Sequence, residues 1–306
     1  SFYAFSVWIG LGFMLVYEFI RKFISGEKLS ALIVFIILLF AVPVLMAAQN
    51  WDDHDRSDRY TARDIGANYL LSCAPNSILF TYGDNDSFPV WYVQDVEQVR
   101  ADVRVANLSY FQAGWYIDMM RQKAFESDPI PLTLAREKYL DGVRDQLPVN
   151  SRIDKPVDLG QIVEFAGQDD RTYKIDVSGR GDFSNYLHSN KFVIDVDSAK
   201  VVSNGTVKQY FSNRIVSPMI WEYTEDDAFK GDLAMMDLLA TSNWERPVYI
   251  STTVPSSQYK GLEKYFVQEG ITYRIVPIST DKSEDGEFGM IDPVEMYDNM
   301  MNKYKW

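Results

Sequence analysis

Hydrophobic residues are spread unevenly along this chain. Phe2 to Ile20 is almost wholly apolar and aromatic, interrupted near its end by Tyr17 and Glu18, and Leu29 to Ala48 repeats the length without a charge. Each run is close to the ~20 residues a helix needs to cross ~30 Å of hydrocarbon. The stretch Ala31-Leu-Ile-Val-Phe-Ile-Ile-Leu-Leu-Phe-Ala-Val is apolar on every side, whereas a soluble helix keeps a polar face. The pattern therefore predicts two transmembrane helices within residues 1–49. Between them, Arg21-Lys22-Phe23-Ile24-Ser25-Gly26-Glu27-Lys28 is short and basic, which places it in the cytoplasm and everything after residue 49 outside it. A cleaved signal peptide fits poorly, because the first run lacks a basic start and no small-residue cleavage site precedes the second. The chain opens inside an apolar segment, so we expect it to be the end of a longer membrane protein with earlier spans.

Beyond residue 50 the apolar runs shorten and alternate with amphipathic stretches. Ser57 or Asp58 can cap a helix from about Arg59 to Cys73, with Tyr60, Ile65, Tyr69 and Leu70 as its buried positions. Ser77 to Tyr82 reads as a buried strand, followed by the turn Gly83-Asp84-Asn85-Asp86, a helix through Arg100 and a second strand from Val103 to Leu108. Strand, helix and strand at this spacing make a βαβ unit with parallel strands. A helix around Asp232 to Ser242 then precedes the strand Pro247 to Thr252, and Tyr259 to Gln268 precedes Ile271 to Pro277, giving two more strands of the same sheet.

Residues 126–217 read differently. Pro131 to Gln146 is a predicted helix, while Ile162 to Phe165, Thr172 to Val177, Phe192 to Val196 and Val201 to Phe211 are strand-like, the last with Asn204-Gly205 as a hairpin turn. Ser279 to Gly289 is a polar loop, and Pro293 opens a last helix through Lys305. The fold class is thus α/β: two transmembrane helices (1–49), then an extracytoplasmic α/β domain with a mostly parallel sheet (50–125 and 218–306). An antiparallel β-rich insertion (126–217) interrupts it.

Charge narrows the partners. Of 30 basic and 43 acidic side chains, three and two fall in the first 50 residues, so the remainder carries a net charge of −14. Such a surface repels phosphate backbones, and no nucleic-acid partner is expected. Cys73 is the lone cysteine, which excludes an internal disulfide and a thiolate metal site.

Candidate chemistry gathers at two places. At the predicted membrane exit, Asp52, Asp53, His54, Asp55, Arg56, Asp58 and Arg59 follow one another closely, with Arg63 one turn on. These groups have the donors for a metal or an acid–base pair, but adjacent residues rarely face one point. The plainer reading has Trp51 at the lipid interface, solvated aspartates, and arginines pairing with them or with head groups. After the first strand, Asp84, Asn85 and Asp86 sit where open α/β sheets place ligands and offer oxygens to a divalent cation or to sugar hydroxyls. Helix capping by Asp86 or Ser87 is the preferred reading, and no cofactor is expected. Trp91, Tyr92, Trp115, Tyr116, Trp221, Tyr223 and Trp244 are candidate sugar-stacking platforms, although aromatic residues in such a domain are usually core. His188 has no acidic or cysteine partner at ligand spacing, and no nucleophile elbow, Walker loop, dinucleotide fingerprint or zinc motif is present.

Several segments together carry a family resemblance. They are Asn50-Trp-Asp-Asp-His-Asp-Arg-Ser, Arg59-Tyr-Thr-Ala-Arg-Asp, Asn76-Ser-Ile-Leu-Phe-Thr-Tyr-Gly-Asp-Asn-Asp-Ser-Phe-Pro, Arg100-Ala-Asp-Val-Arg-Val-Ala-Asn-Leu-Ser and Ala240-Thr-Ser-Asn-Trp-Glu-Arg-Pro-Val-Tyr. Across nearly all of residues 50–306 the chain resembles a Bacteroidota inner-membrane family. That family is similar to the animal transmembrane protein O-mannosyltransferase. The resemblance implies a multi-spanning glycosyltransferase of the C-type architecture, moving sugar from a polyprenyl phosphate to Ser or Thr of periplasmic acceptor proteins. The catalytic carboxylate of such enzymes lies on the first external loop, which would precede residue 1, so no catalytic residue is carried over. Arg56, Arg59 and Arg63 would suit a lipid-linked phosphate. The alternative is a noncatalytic glycan- or protein-binding module that docks partners in an envelope or secretion complex. Asp197-Ser198-Ala199 resembles a short Bacteroidota O-glycosylation acceptor motif, which makes Ser198 a candidate for modification.

Overall fold

In lipid a backbone must satisfy its own polar groups, and both N-terminal apolar runs do so as helices in the computed structural model, which describes residues 2–280 and 289–305. Helix α1 spans Phe2–Arg21 and α2 spans Glu27–Leu39. A wide π-type turn, Phe40–Val44, then contains Pro43, whose missing N–H loosens the ladder, and helix α3 resumes at Leu45–His54. The side chains of α1 and α2 are largely exposed, with Trp8 at 72% and Phe35 at 56%. Core helices of a soluble protein would be covered, so these two are built to anchor the chain in a membrane. The second span runs 28 residues, Glu27–His54. At about 1.5 Å per residue that is roughly 42 Å, longer than the ~30 Å hydrocarbon layer. Asn50 to His54 form the last turn of this helix, which is longer than that layer is thick.

The chain divides into two compact units, Ser1–Arg59 and Tyr60–Trp306. In the second, helix α4 (Thr61–Leu71) starts after Tyr60 with no side-chain cap, so neither Ser57 nor Asp58 fills that role. Its second half, Gly66 to Leu70, is buried at every position, whereas the expected core residues Tyr60 and Ile65 are exposed. Strand β1 (Ile78–Thr81), helix α5 (Asp84–Asp95) and strand β2 (Arg104–Asn107) form the expected parallel βαβ unit. The helix ends at Asp95, short of Arg100. All four β1 side chains are buried, Ile78 and Phe80 in one core and Leu79 in another, as a central strand covered on both faces requires. Helix α6 (Gly114–Met120) follows β2.

The middle of the chain departs furthest from expectation. Residues 131–146 do not form a helix; they run as an extended segment with one 3₁₀ turn, Arg136–Tyr139, into strand β3 (Gln146–Pro148). Strand β4 (Val157–Asp158) leads directly into helix α7 (Leu159–Gly167), where a strand was expected. Strands β5 (Lys174–Asp176) and β6 (Phe183–Asn185) form a hairpin, and β7 (Lys191–Ile194) is followed by helix α8 (Ser198–Ser203) instead of a strand. There Asn204 is the helix C-cap and Gly205 takes the left-handed position (φ +75°) after it, so this pair ends a helix rather than turning a hairpin. Strands β8 (Met219–Glu222) and β9 (Asp227–Phe229) complete small sheets ordered β4-β7-β8 and β3-β9, antiparallel except for β4 with β7.

Helix α9 (Lys230–Ser242) returns the chain to strand β10 (Val248–Ser251), parallel to β1. Residues 259–268 run into strand β11 (Phe266–Glu269), which forms a hairpin with β12 (Thr272–Ile275) across Gly270 (φ +74°). Strand β13 (Met290–Ile291) and helix α10 (Pro293–Asp298), capped by Asp292, close the fold. The main sheet is ordered β13-β11-β12-β10-β1-β2, with three parallel and two antiparallel pairings. Most of the polar loop expected at 279–289 lies outside the described residues.

Cys73 is buried against Tyr69, and burial pushes its thiol up to about 12. N-ethylmaleimide at pH 8 is expected to leave the native chain unlabelled and to modify it only after denaturation. Rapid labelling of the folded protein, read by intact mass, would contradict this burial.

Candidate functional site

The C-terminal ends of β1 and β10 converge on Asp86, and hydrogen bonding determines what it can do. Its carboxylate accepts from the Tyr82 and Gly83 amides and from the Ser251 and Thr253 hydroxyls at 2.8–3.1 Å. A carboxylate offers about four such directions, and here the protein occupies them. Asn107, at the end of β2, donates to Tyr82 O and Ser87 Oγ and accepts from Tyr110 N. The knot closes the sheet end where ligands often enter. Asp84 and Asn85 stand exposed on the first turn of α5.

A different cavity opens beside the edge strand β2, with a volume of about 380 Å³. Its walls come from α5 (Trp91, Gln94), β2 (Arg104, Val105) and the segment around α6 (Tyr110, Trp115, Tyr116, Met119), with Phe125 at the rim. Gln94 fixes α5 to the approach of β2 by donating to the carbonyls of Arg100 and Val103, both at 2.9 Å. Trp91 stacks on Tyr110 with centroids 6.1 Å apart, and Tyr110 in turn lies 6.3 Å from Trp115. The rings form a half-open aromatic cradle. At its base Arg104 is only 3% exposed, and among the described residues its single side-chain hydrogen bond runs from Nη2 to Met119 O at 2.7 Å. Burial depresses the affinity of this guanidinium for its proton, and the nearby Tyr116 opposes the shift.

A second cleft of about 320 Å³ contains Arg100, Lys208, Glu269, Arg274, Glu295 and Lys303. Its charges are matched: Lys208 and Lys303 meet Glu295, Arg274 meets Glu269, and Arg100 grips Asp102 through two nitrogens. Burial raises the Glu269 pKa, while Arg274 and the Tyr249 hydroxyl oppose the rise.

The residues singled out in the sequence fall on both units, and those of the second do not gather at one place. Asp52, Asp53 and His54 occupy the exposed last turn of α3, with His54 Nδ1 2.9 Å from Asn50 O, and Arg56 and Arg59 follow, also exposed. Arg63, on α4, pairs with Asp64 at 2.9 Å and lies over the Tyr60 ring. Trp91 lines the aromatic cavity and Tyr92 points to solvent. Trp221, Tyr223 and Trp244 are core residues, and His188 packs on Phe165 with burial lowering its pKa. Among the described residues, no three His, Cys, Asp or Glu side chains converge as a metal site. The sequence reading missed Arg104, although it left a trace: a lone charge inside the otherwise buried strand Val103-Arg-Val-Ala-Asn.

A family model described as TMEM260-associated domain 2 matches residues 62–295. The chain belongs to this family. TMEM260 is an animal protein O-mannosyltransferase, and the match agrees with the resemblance read from the sequence motifs. No curated protein and no solved structure matches the chain. The TMEM260-associated domain contains the aromatic cavity, the Asp86 knot and Arg63, whereas Asp52 to Arg59 lie before the matched region.

Proposed function

We propose that this chain is the membrane anchor and periplasmic domain of a bacterial inner-membrane protein O-glycosyltransferase. The enzyme would transfer a sugar, mannose being the first candidate, from a polyprenyl phosphate to Ser or Thr of periplasmic proteins. Membership of the TMEM260-associated family is the observation that carries this reading; a fold alone assigns no chemistry. The basic loop between α1 and α2 supports the external placement of residues 50–306. The saturated Asp86 and the solvated Asp52 and Asp53 favour a binding role for this domain, with the transfer step performed by an external loop of the membrane region rather than by this domain.

A docking role in an envelope complex is favoured by one surface. Phe88 and Tyr92 on α5 and Val96 at its C-cap form an exposed i, i+4, i+8 stripe, a surface suited to covering by a partner. Deleting the whole gene in its host should abolish a set of periplasmic O-glycopeptides in mass spectra. The intact gene should restore them and a gene lacking residues 60–306 should not. Unchanged glycopeptides would overturn the transferase reading. Full transfer without residues 60–306, together with a stoichiometric partner on copurification, would establish docking instead.

A further inference from the structure

Buried arginines in this unit follow a rule that one of them breaks. Among the described residues three arginines are classed as buried: Arg104, Arg144 and Arg274. Arg144 bonds the Asp169 carboxylate and three carbonyls, and Arg274 meets Glu269. Arg104 has no carboxylate within ion-pair distance among the described residues. Its Nε and Nη1 are buried and make no hydrogen bond. A guanidinium withdrawn from water without a counter-charge is costly, and native structures rarely retain one without a use. Arg246 adds to the local positive field: it donates to the carbonyls of Asn76, Asp128 and Pro129, and burial pulls it down to about 10, with Arg104 contributing.

The missing partner has a place to sit. Arg104 lines the 380 Å³ cavity, and the surrounding wall is largely aromatic: Trp91, Tyr110, Trp115 and Tyr116. That volume falls within the range of small-molecule sites, in which apolar walls supply contact and a few polar groups fix orientation. Asp95 is the carboxylate on the wall, and it is exposed to solvent. A neutral sugar would stack on the rings but leave the arginine uncompensated. A small polar anion would neutralise Arg104 but leave the rings bare.

We infer that the cavity binds a small molecule carrying a carboxylate or phosphate on a flat, apolar body of about the size of one or two rings. The anion pairs with the Arg104 guanidinium, and the body lies against Trp91, Tyr110 and Trp115. This inference does not rest on glycosyl transfer, and its test reads binding alone.

The full chain in nonionic detergent is titrated calorimetrically with 3-phenylpropionate, phenyl phosphate and the neutral 3-phenylpropionamide. At least one of the two anions is expected to bind at least tenfold more tightly than the amide, and their comparison identifies carboxylate or phosphate as the preferred group. Arg104→Met should erase the preference for the anion. Trp115→Ala, at a position 59% exposed and therefore tolerant of truncation, should weaken acid and amide alike. If Arg104→Met does not fold, as judged by near-UV circular dichroism, Arg104→Lys replaces it and should lose at least threefold in affinity for the preferred anion while retaining some preference over the amide. Equal affinity for acid and amide, no binding of either anion at millimolar concentration, or undiminished anion binding by the folded Arg104 variant would overturn the inference. Glycopeptide profiles are independent of all these outcomes.

Discussion

Replacing Asp237 with leucine is expected to lower the stability of the α/β unit by about 3 kcal/mol or more. Asp237 lies on α9 and is fully buried. Its carboxylate accepts from the Thr133 amide and hydroxyl, the Leu134 amide and the Tyr139 hydroxyl at 2.6–3.0 Å. Two of those donors are main-chain groups of the extended segment 131–146, which has no sheet partner of its own at Thr133 and Leu134. Two turns earlier on the same helix, the buried Lys230 ammonium bonds Leu140 O at 2.8 Å and the Asp145 carboxylate at 2.5 Å. The helix therefore grips the segment at both ends. Leucine keeps the branched shape of aspartate but is bulkier and accepts nothing, so each stranded donor costs about 1–3 kcal/mol of desolvation. At about 2–4 °C per kcal/mol for a unit of this size, the melting temperature should fall by roughly 6–12 °C. Asp237→Asn keeps one acceptor and aims an NH₂ at the donors, and it should fall between the two. Thermal melts followed by tryptophan fluorescence in detergent measure both; a loss below about 1 kcal/mol for the leucine variant would mean that the donors find other partners.

The same clamp explains why the sequence misled in this region. Residues 131–146 have helical composition, and local propensity is a weak prior that a non-local contact overrides. Nothing near Thr133 announces a carboxylate 104 positions away. Helix α7 failed for the opposite reason. The window Ile162 to Phe165 was too short: Leu159, Ile162, Val163 and Ala166 keep the i, i+3, i+4, i+7 period, and Asp158 accepts from Gln161 N at 2.9 Å as an N-cap. By contrast β1, α5, β2, α9 and β10 were legible because each is long or fully buried enough for its period to show, although the C-terminal end of α5 was not. The candidate site was legible only in part. Trp91 and Trp115 read as stacking residues, but their meeting with Arg104 depends on α5, β2 and α6 packing around one sheet edge, a relation no local pattern encodes.

Gly66→Ala provides a test in which two effects oppose each other. In a helix interior alanine is favoured over glycine by about 1 kcal/mol, so propensity alone predicts a more stable α4. Packing predicts the reverse. A Cβ at Gly66 would stand 2.5 Å from Pro89 O, 2.6 Å from Pro89 C and 3.0 Å from Val90 N, all main-chain atoms of α5. Such atoms cannot rotate away, so the helices must separate by several tenths of an ångström or more. Overpacking of this kind costs about 1–3 kcal/mol, and at this depth of overlap the upper end applies. The expected net loss is about 2 kcal/mol after the propensity gain, or roughly 4–8 °C in melting temperature. The displacement also has a functional direction, because Trp91 and Gln94 on α5 line the aromatic cavity and Gln94 ties the helix to β2. Anion affinity at Arg104 should therefore fall in Gly66→Ala even at temperatures where the unit stays folded. A rise in melting temperature would show that α4 and α5 lie farther apart than these contacts require, and unaltered affinity in the folded variant would uncouple the cavity from the helix pair.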